Sequence, residues 1–142
     1  MTNVAGYSGT PLVKKIGIKP RHRLAILNPP PGFEKELAPL PDGVVNAERA
    51  PLDVAILFAA NRAALEKNLG KLAAQLAPSG MLWVAWPKMT SGVTTDLKEG
   101  LVQKVGLAAG LVDIKVCAVN DVWSGLKFVI PVKHRKQSPV AG

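Results

Sequence analysis

Short apolar runs alternate with segments of helical spacing along most of this chain. RLAILN (23–28) lies between charge and a triple proline, and DVAILFA (53–59) and MLWVAW (81–86) have the same character. Runs this short, bounded by breakers, predict buried strands, and VVNAE (44–48) is a further candidate. Leu65, Leu69, Leu72 and Leu76 mark one helical face in residues 61–78, with Asn61 as N-cap. Leu97, Leu101, Val105 and Ala108 do the same in residues 94–110, where Thr94 or Thr95 is the expected cap. TPLVKKI (10–16) predicts a short helix with Thr10 as N-cap, Pro11 at the first helical position and Gly17 as the stop. GFEKELAPL predicts another, cut off at Pro39 or Pro41. VDIKVCAV (112–119) and GLKFVIPV (125–132) have only the turn NDVWSG between them, so they are expected to pair antiparallel.

Strands alternating with helices predict a mostly parallel sheet covered on both faces. The closing hairpin narrows this to a three-layer α/β Rossmann-like architecture of the methyltransferase-like branch, with strand order 2-1-3-4-6-5. Pro131 is compatible with a central last strand only where the ladder is already ending, because it lacks an amide donor. The expected organisation is a single domain over residues 1–135 and a C-terminal tail over 136–142.

Several segments together, AGYSGTPL, LNPPPGFEKEL, PLDVAILF, LAPSGMLWVAWPK, SGVTTDL, AAGLVDIKVCAV and WSGLKFV, resemble a family of small bacterial proteins that carries only a domain-of-unknown-function label. The resemblance runs from about Ala5 to Val132. It implies a compact bacterial cytoplasmic domain, and it carries over no functional residue.

In such a sheet, ligands sit outside the carboxyl ends of the strands. That rule selects Asn28 to Phe33, Glu48, Asn61 and Arg62, Trp86 to Thr95, and Asn120 to Ser124. From these we draw a candidate ligand-binding set of Asn28, Asn61, Arg62, Trp86, Lys88, Ser91, Thr94, Asp121 and Trp123. WPKMTSGVTTDL is longer and more polar than a bare connection needs. Its amides and hydroxyls, with Lys88 as countercharge, suit a phosphate or carboxylate. The competing reading is a plain helix cap and a solvated lysine. Trp83 and Trp86, three apart on one strand, face opposite sides of the sheet. Trp123, placed in the hairpin turn, would cover a pocket or pack against a second subunit, which leaves a homodimer open.

NPPPGF stands where a dinucleotide- or S-adenosylmethionine-binding chain of this architecture has its glycine-rich turn. Proline has no amide to offer a phosphate, and its ring blocks close approach of the backbone. Glu48, twenty residues after Asn28, stands where an acidic residue often meets a ribose, but without the glycine turn it reads as a solvated carboxylate. The sequence therefore names no cofactor. Asn-Pro-Pro also resembles the amino-group-binding motif of adenine and glutamine methyltransferases, but an extra Pro-Gly separates it from Phe33 and only 27 residues precede it.

The chain has 142 residues, 48% hydrophobic and 20% charged, enough for one ordinary core. One cysteine, Cys117, reads as a buried thiol; no zinc spacing, triad or metal centre is legible, and His22 and His134 lie far from any carboxylate or serine. No apolar run reaches the roughly eighteen residues that span a bilayer, and the N-terminus lacks a signal-peptide pattern. A cytoplasmic protein is expected.

The net charge of +8 is concentrated at Lys14 to Arg23 and Lys133 to Lys136. Three strand steps would separate the two clusters by about 14 Å on the edge opposite the candidate site. The first reading is a Rossmann-like domain that binds a small anionic or phosphate-bearing ligand without catalysing a reaction. The alternatives are a divergent methyltransferase-like group transferase, or a module whose basic edge meets nucleic acid or an acidic partner. Whether the chain is an enzyme stays open at this level.

Overall fold

The computed structural model describes residues 10–135; the expected tail at 136–142, Lys136 included, lies outside them. The chain runs α1 (Leu12–Ile16), β1 (Arg23–Leu27), α2 (Phe33–Leu37), β2 (Val45–Asn46), β3 (Leu52–Phe58), α3 (Arg62–Gln75), β4 (Leu76–Pro87), α4 (Glu99–Ala108), β5 (Val112–Ala118) and β6 (Trp123–Val129), with single 3-10 turns after β4 and β6. The six strands form one sheet in the order β2-β1-β3-β4-β6-β5. β2, β1, β3 and β4 are parallel, and β6 is antiparallel to both β4 and β5. This is the expected topology. Pro131 is accommodated because β6 ends two residues before it.

Alternation along the strands sends side chains to two cores. Under α3 and α4 lie Leu57, Leu65, Leu69, Leu82, Val84, Trp86 and Phe128. Under α1 and α2 lie Ile16, Leu24, Phe33, Phe58 and Trp83. The two β4 tryptophans therefore occupy opposite faces, as their spacing requires. The Trp83 indole N–H donates to the Ile16 carbonyl at 2.9 Å, which holds the end of α1 against the sheet. Gly17, at φ 96°, then closes that helix in the left-handed region open to glycine.

Several sequence expectations are corrected. Pro11 occupies the cap position of α1 in place of Thr10, one residue later than expected, and the helix begins at Leu12. Leu76 opens β4 rather than closing α3. β4 also starts five residues before the expected strand: Leu76 pairs with Leu52, Met81 pairs with Val54, and residues 77–80 make the irregularity between them.

Helix α4 starts at Glu99, not at Thr94 or Thr95, because the Thr95 hydroxyl accepts the Leu97 amide in a local turn that keeps the chain out of helical geometry. Its buried positions are Val102 and Gly106, while Leu101 and Val105 are half-buried and Ala108 is exposed. Gly106 explains the rotated face: a Cβ there would overlap the Phe128 ring, so the helix packs on the sheet at a position that admits no side chain.

Candidate functional site

The chain leaves β1 through Asn28, which adopts φ 58°, a conformation asparagine tolerates better than most residues. Gly32, at φ 83°, turns the proline run into α2, and the Phe33 amide donates to the Pro30 carbonyl at 3.1 Å. On the far side of the carboxyl edge, the β5–β6 turn is built on Asn120. Its Oδ1 accepts the amides of Val122 and Trp123, both at 2.9 Å, and its Nδ2 donates to Glu36 of α2 at 3.0 Å. That last bond ties α2 to the hairpin turn.

Between them lies a cleft of about 340 Å³ lined by Pro30, Pro31, Phe33, Glu36, Asn120, Asp121, Val122 and Trp123. Phe58, at the end of β3, stands behind it, edge-to-face with Phe33 (centroids 4.7 Å) and with Trp123 (5.0 Å). The cleft thus sits outside the carboxyl ends of β1 and β3, from which the sheet is wound in opposite directions. Its polar lining consists of the Glu36 and Asp121 carboxylates and the Asn120 amide, with no basic side chain.

Of the nine residues selected from the sequence, Asp121 and Trp123 line this cleft. Trp123 is not in the turn. It is the first residue of β6, half-buried, and pairs across the ladder with Pro87. Asn61 is the α3 cap, its Oδ1 accepting from the Ala64 amide at 2.9 Å. The Arg62 amide donates to Asp96 at 2.8 Å and its guanidinium pairs with Glu66 at 2.7 Å. That hydrogen bond and the Glu66 charge hold the guanidinium pKa above its ordinary value. The α3 N-terminus is therefore occupied by the chain's own carboxylate.

Trp86 is 6% exposed and packed in the core under α3 and α4, so the strand end does not open it to the rim. Lys88 is half-buried, its amide held by the Val122 carbonyl at 2.8 Å next to the cleft. The Ser91 hydroxyl donates to the Lys88 carbonyl and accepts from the Val93 amide, so it serves its own turn. Thr94 and Asn28 are exposed and away from the cleft lining. Cys117 is half-buried rather than buried, because β5 is an edge strand.

Pro30, Pro31 and Asn120 fall in the rim segments selected from the sequence but not among the nine candidates, and Glu36 falls in neither. Glu36 follows Phe33 by three residues, so the two share a side of any helix formed there. That spacing was the available signal; the Asn120 partner, 84 residues away, left none.

On the opposite edge, Lys19, Arg21 and His22 precede β1, Arg23 opens it, and Lys133 to Arg135 follow β6, as the topology requires. Several of these groups are engaged locally: Arg23 donates to the carbonyls of Pro51 and Arg49, Arg135 to that of Ile130, and the His22 Nδ1 accepts from the Lys19 amide. Among the described residues there is no cluster of three metal-ligating side chains, and no helix is long and apolar enough to cross a membrane.

The architecture is that of solved S-adenosylmethionine-dependent methyltransferases. An enzyme of this class from Aquifex aeolicus superposes with TM-score 0.58 at 13% identity, over 84% of this chain and 88% of the other. Magnesium protoporphyrin IX methyltransferase from Synechocystis, with bound SAH, gives 0.58 at 11% identity, over 84% and 78%. A TehB-like methyltransferase from Corynebacterium glutamicum gives 0.54 at 12% identity, over 89% and 91%. At these identities the likeness is one of fold. No protein-family model and no curated protein sequence matches the chain.

Proposed function

We propose that this protein is a small-molecule-binding domain on a methyltransferase-like scaffold, with its ligand in the cleft between Pro30–Phe33 and Asn120–Trp123. The observation that carries the reading is the Asn120–Glu36 bond, which joins α2 to the β5–β6 turn beside an aromatic wall at the edge where sheets of this kind bind ligands. The wall suits a flat or apolar body. Glu36 and Asp121 suit hydrogen-bond donors or a positive centre on the same molecule.

Two further features bear on the ligand's class. Lys88, fixed beside Val122, favours a second reading in which a phosphate or carboxylate on the ligand is met from the cleft's margin. The fold supports group transfer as an alternative, and S-adenosylmethionine, which carries a sulfonium and an ammonium, has the charge the cleft would accept. The proline run argues against the usual seating of such a cofactor, since it withdraws amides from the turn after β1.

The test is a thermal-shift panel of amines, nucleosides, nucleotides, simple phosphates, S-adenosylmethionine and its demethylated product, with hits confirmed by calorimetry. A ligand that binds only the folded state raises the melting midpoint by mass action. The expected result is a shift from a molecule with donor or cationic groups that Glu36→Gln and Asp121→Asn reduce. A shift reduced instead by Lys88→Ala supports the anionic reading. No shift from any member, or one untouched by all three variants, removes the cleft as the site.

A further inference from the structure

The two edges of the sheet are finished differently. At one, β5 carries a register irregularity between Asp113 and Lys115 and turns a lysine outward, devices that blunt a strand edge against pairing. At the other, β2 is two residues long and pairs only with Arg23 and Leu24 of β1. The Ala47 amide still reaches the Leu24 carbonyl at 2.8 Å, and then the chain turns away towards β3. Backbone groups alternate sides along a strand, so Ile26, two residues on from Leu24, presents its N–H and C=O to the same flank, with no strand opposite among the described residues. Ala25 to Leu27 hold no proline, charge or bulge.

That open stretch is the floor of a groove of about 460 Å³ between β1 and α2. Leu24, Ile26, Leu37 and Leu40 give it an apolar lining, and Glu34 and Glu48 stand among its polar residues. Neither carboxylate makes an ion pair or a side-chain hydrogen bond among the described residues, and no basic side chain lines the groove. Glu48, which its sequence position offers to a ribose, is here a groove residue. The groove lies at the side of the sheet and shares no lining residue with the rim cleft.

We propose that this groove is a docking site for an extended peptide segment with apolar side chains and flanking Lys or Arg. The peptide adds to β1 through the Ile26 backbone groups, puts apolar side chains over Ile26 and Leu40, the accessible part of the apolar lining, and sets its basic residues against Glu34 and Glu48. Main-chain pairing supplies affinity and the carboxylates supply selectivity. A basic segment fits this acidic groove, whereas a second copy of a chain with net charge +8 meets overall repulsion.

The test selects random linear peptides displayed on phage against the full chain, then measures a synthetic, fluorescently labelled selected peptide by anisotropy and by amide hydrogen exchange. The expected peptides alternate apolar residues between Lys or Arg. They slow exchange of the Ile26 amide, lose binding when alternate peptide amides are methylated, and bind at least tenfold more weakly to Glu34→Lys/Glu48→Lys. Should that variant melt early, Glu34→Gln/Glu48→Gln serves in its place. The proposal is overturned by any of four results: no selected sequence, binding indifferent to both double variants, an Ile26 amide unaffected by the peptide, or Ile26 protection from self-association without peptide, which would make a second copy the occupant.

Discussion

The Arg62 amide donates to the Asp96 carboxylate at 2.8 Å, so the first turn of α3 is capped by a residue from the loop ahead of α4. Together with Asn61, which accepts from Ala64, this places two side-chain oxygens on amides that a helix otherwise leaves without partners. Asp96→Ala and Asn61→Ala are each expected to lower unfolding stability by about 0.5–2 kcal/mol in urea titrations. Asp96→Asn, which keeps an acceptor oxygen, is expected to cost less than Asp96→Ala. Equal losses would mean that the bond to Arg62 contributes nothing.

Two glycines make opposite predictions. A methyl group on Gly106 would overlap the Phe128 ring, so Gly106→Ala is expected to destabilise by about 1–3 kcal/mol as an overpacking change. Gly70, inside α3, has nothing within 4 Å of its missing Cβ, so Gly70→Ala is expected to stabilise by about 0.5–1 kcal/mol through helix propensity. Thermal melts of the two variants side by side check both, and a common sign would refute one of them.

The Trp83 indole is 1% exposed and its N–H holds the Ile16 carbonyl. Trp83→Phe removes the donor and leaves a buried acceptor without its partner, which costs about 1–3 kcal/mol before any packing loss. The effect is expected to be local as well as global: amides at the end of α1 should exchange faster than those of β3. Uniform acceleration would show that α1 does not depend on this bond.

Lys115 and Lys127 are cross-strand neighbours in the β5–β6 ladder. Burial, and secondly the Lys115 charge, lower the Lys127 pKa. A lysine whose folded pKa is depressed binds fewer protons in the folded than in the unfolded chain between the two pKa values. Stability therefore rises with pH across that alkaline window, and the penalty is fully present at neutral pH. Lys115→Gln removes the like charge and is expected to stabilise by about 0.2–1 kcal/mol at neutral pH, the range of a cross-strand pair, with the gain shrinking towards high pH and high salt. Urea titrations at two pH values and two salt concentrations read this directly.

The strand order was legible because it follows from local signals: apolar runs too short for helices, helices between parallel strands, and a final pair with only a turn between them. The rim was legible for the same reason, since topology fixes where the connections lie. The cleft was not. NDVWSG reads as one turn that includes Trp123, whereas Asn120 satisfies the Val122 and Trp123 amides early and lets β6 begin at Trp123. Thr94 and Thr95 look like helix caps, yet the one that caps anything closes a turn before the helix. Side-chain bonds spanning long sequence separations, such as Asn120 to Glu36 and Arg62 to Asp96, decide which exposed residues meet. No periodicity encodes them.

β4 belongs to both halves of the molecule. It pairs in parallel with β3 and antiparallel with β6, and it puts one tryptophan into each core. A fragment that stops before β6 would leave β4 with a bare flank and Trp86 without the Phe128 side of its core, while a fragment that begins after α1 would strip the cover from Trp83. Residues 10–135 therefore have no natural point of division. Cutting it should yield pieces that recover structure only on recombining, and the fluorescence of the two indoles would return together as they do.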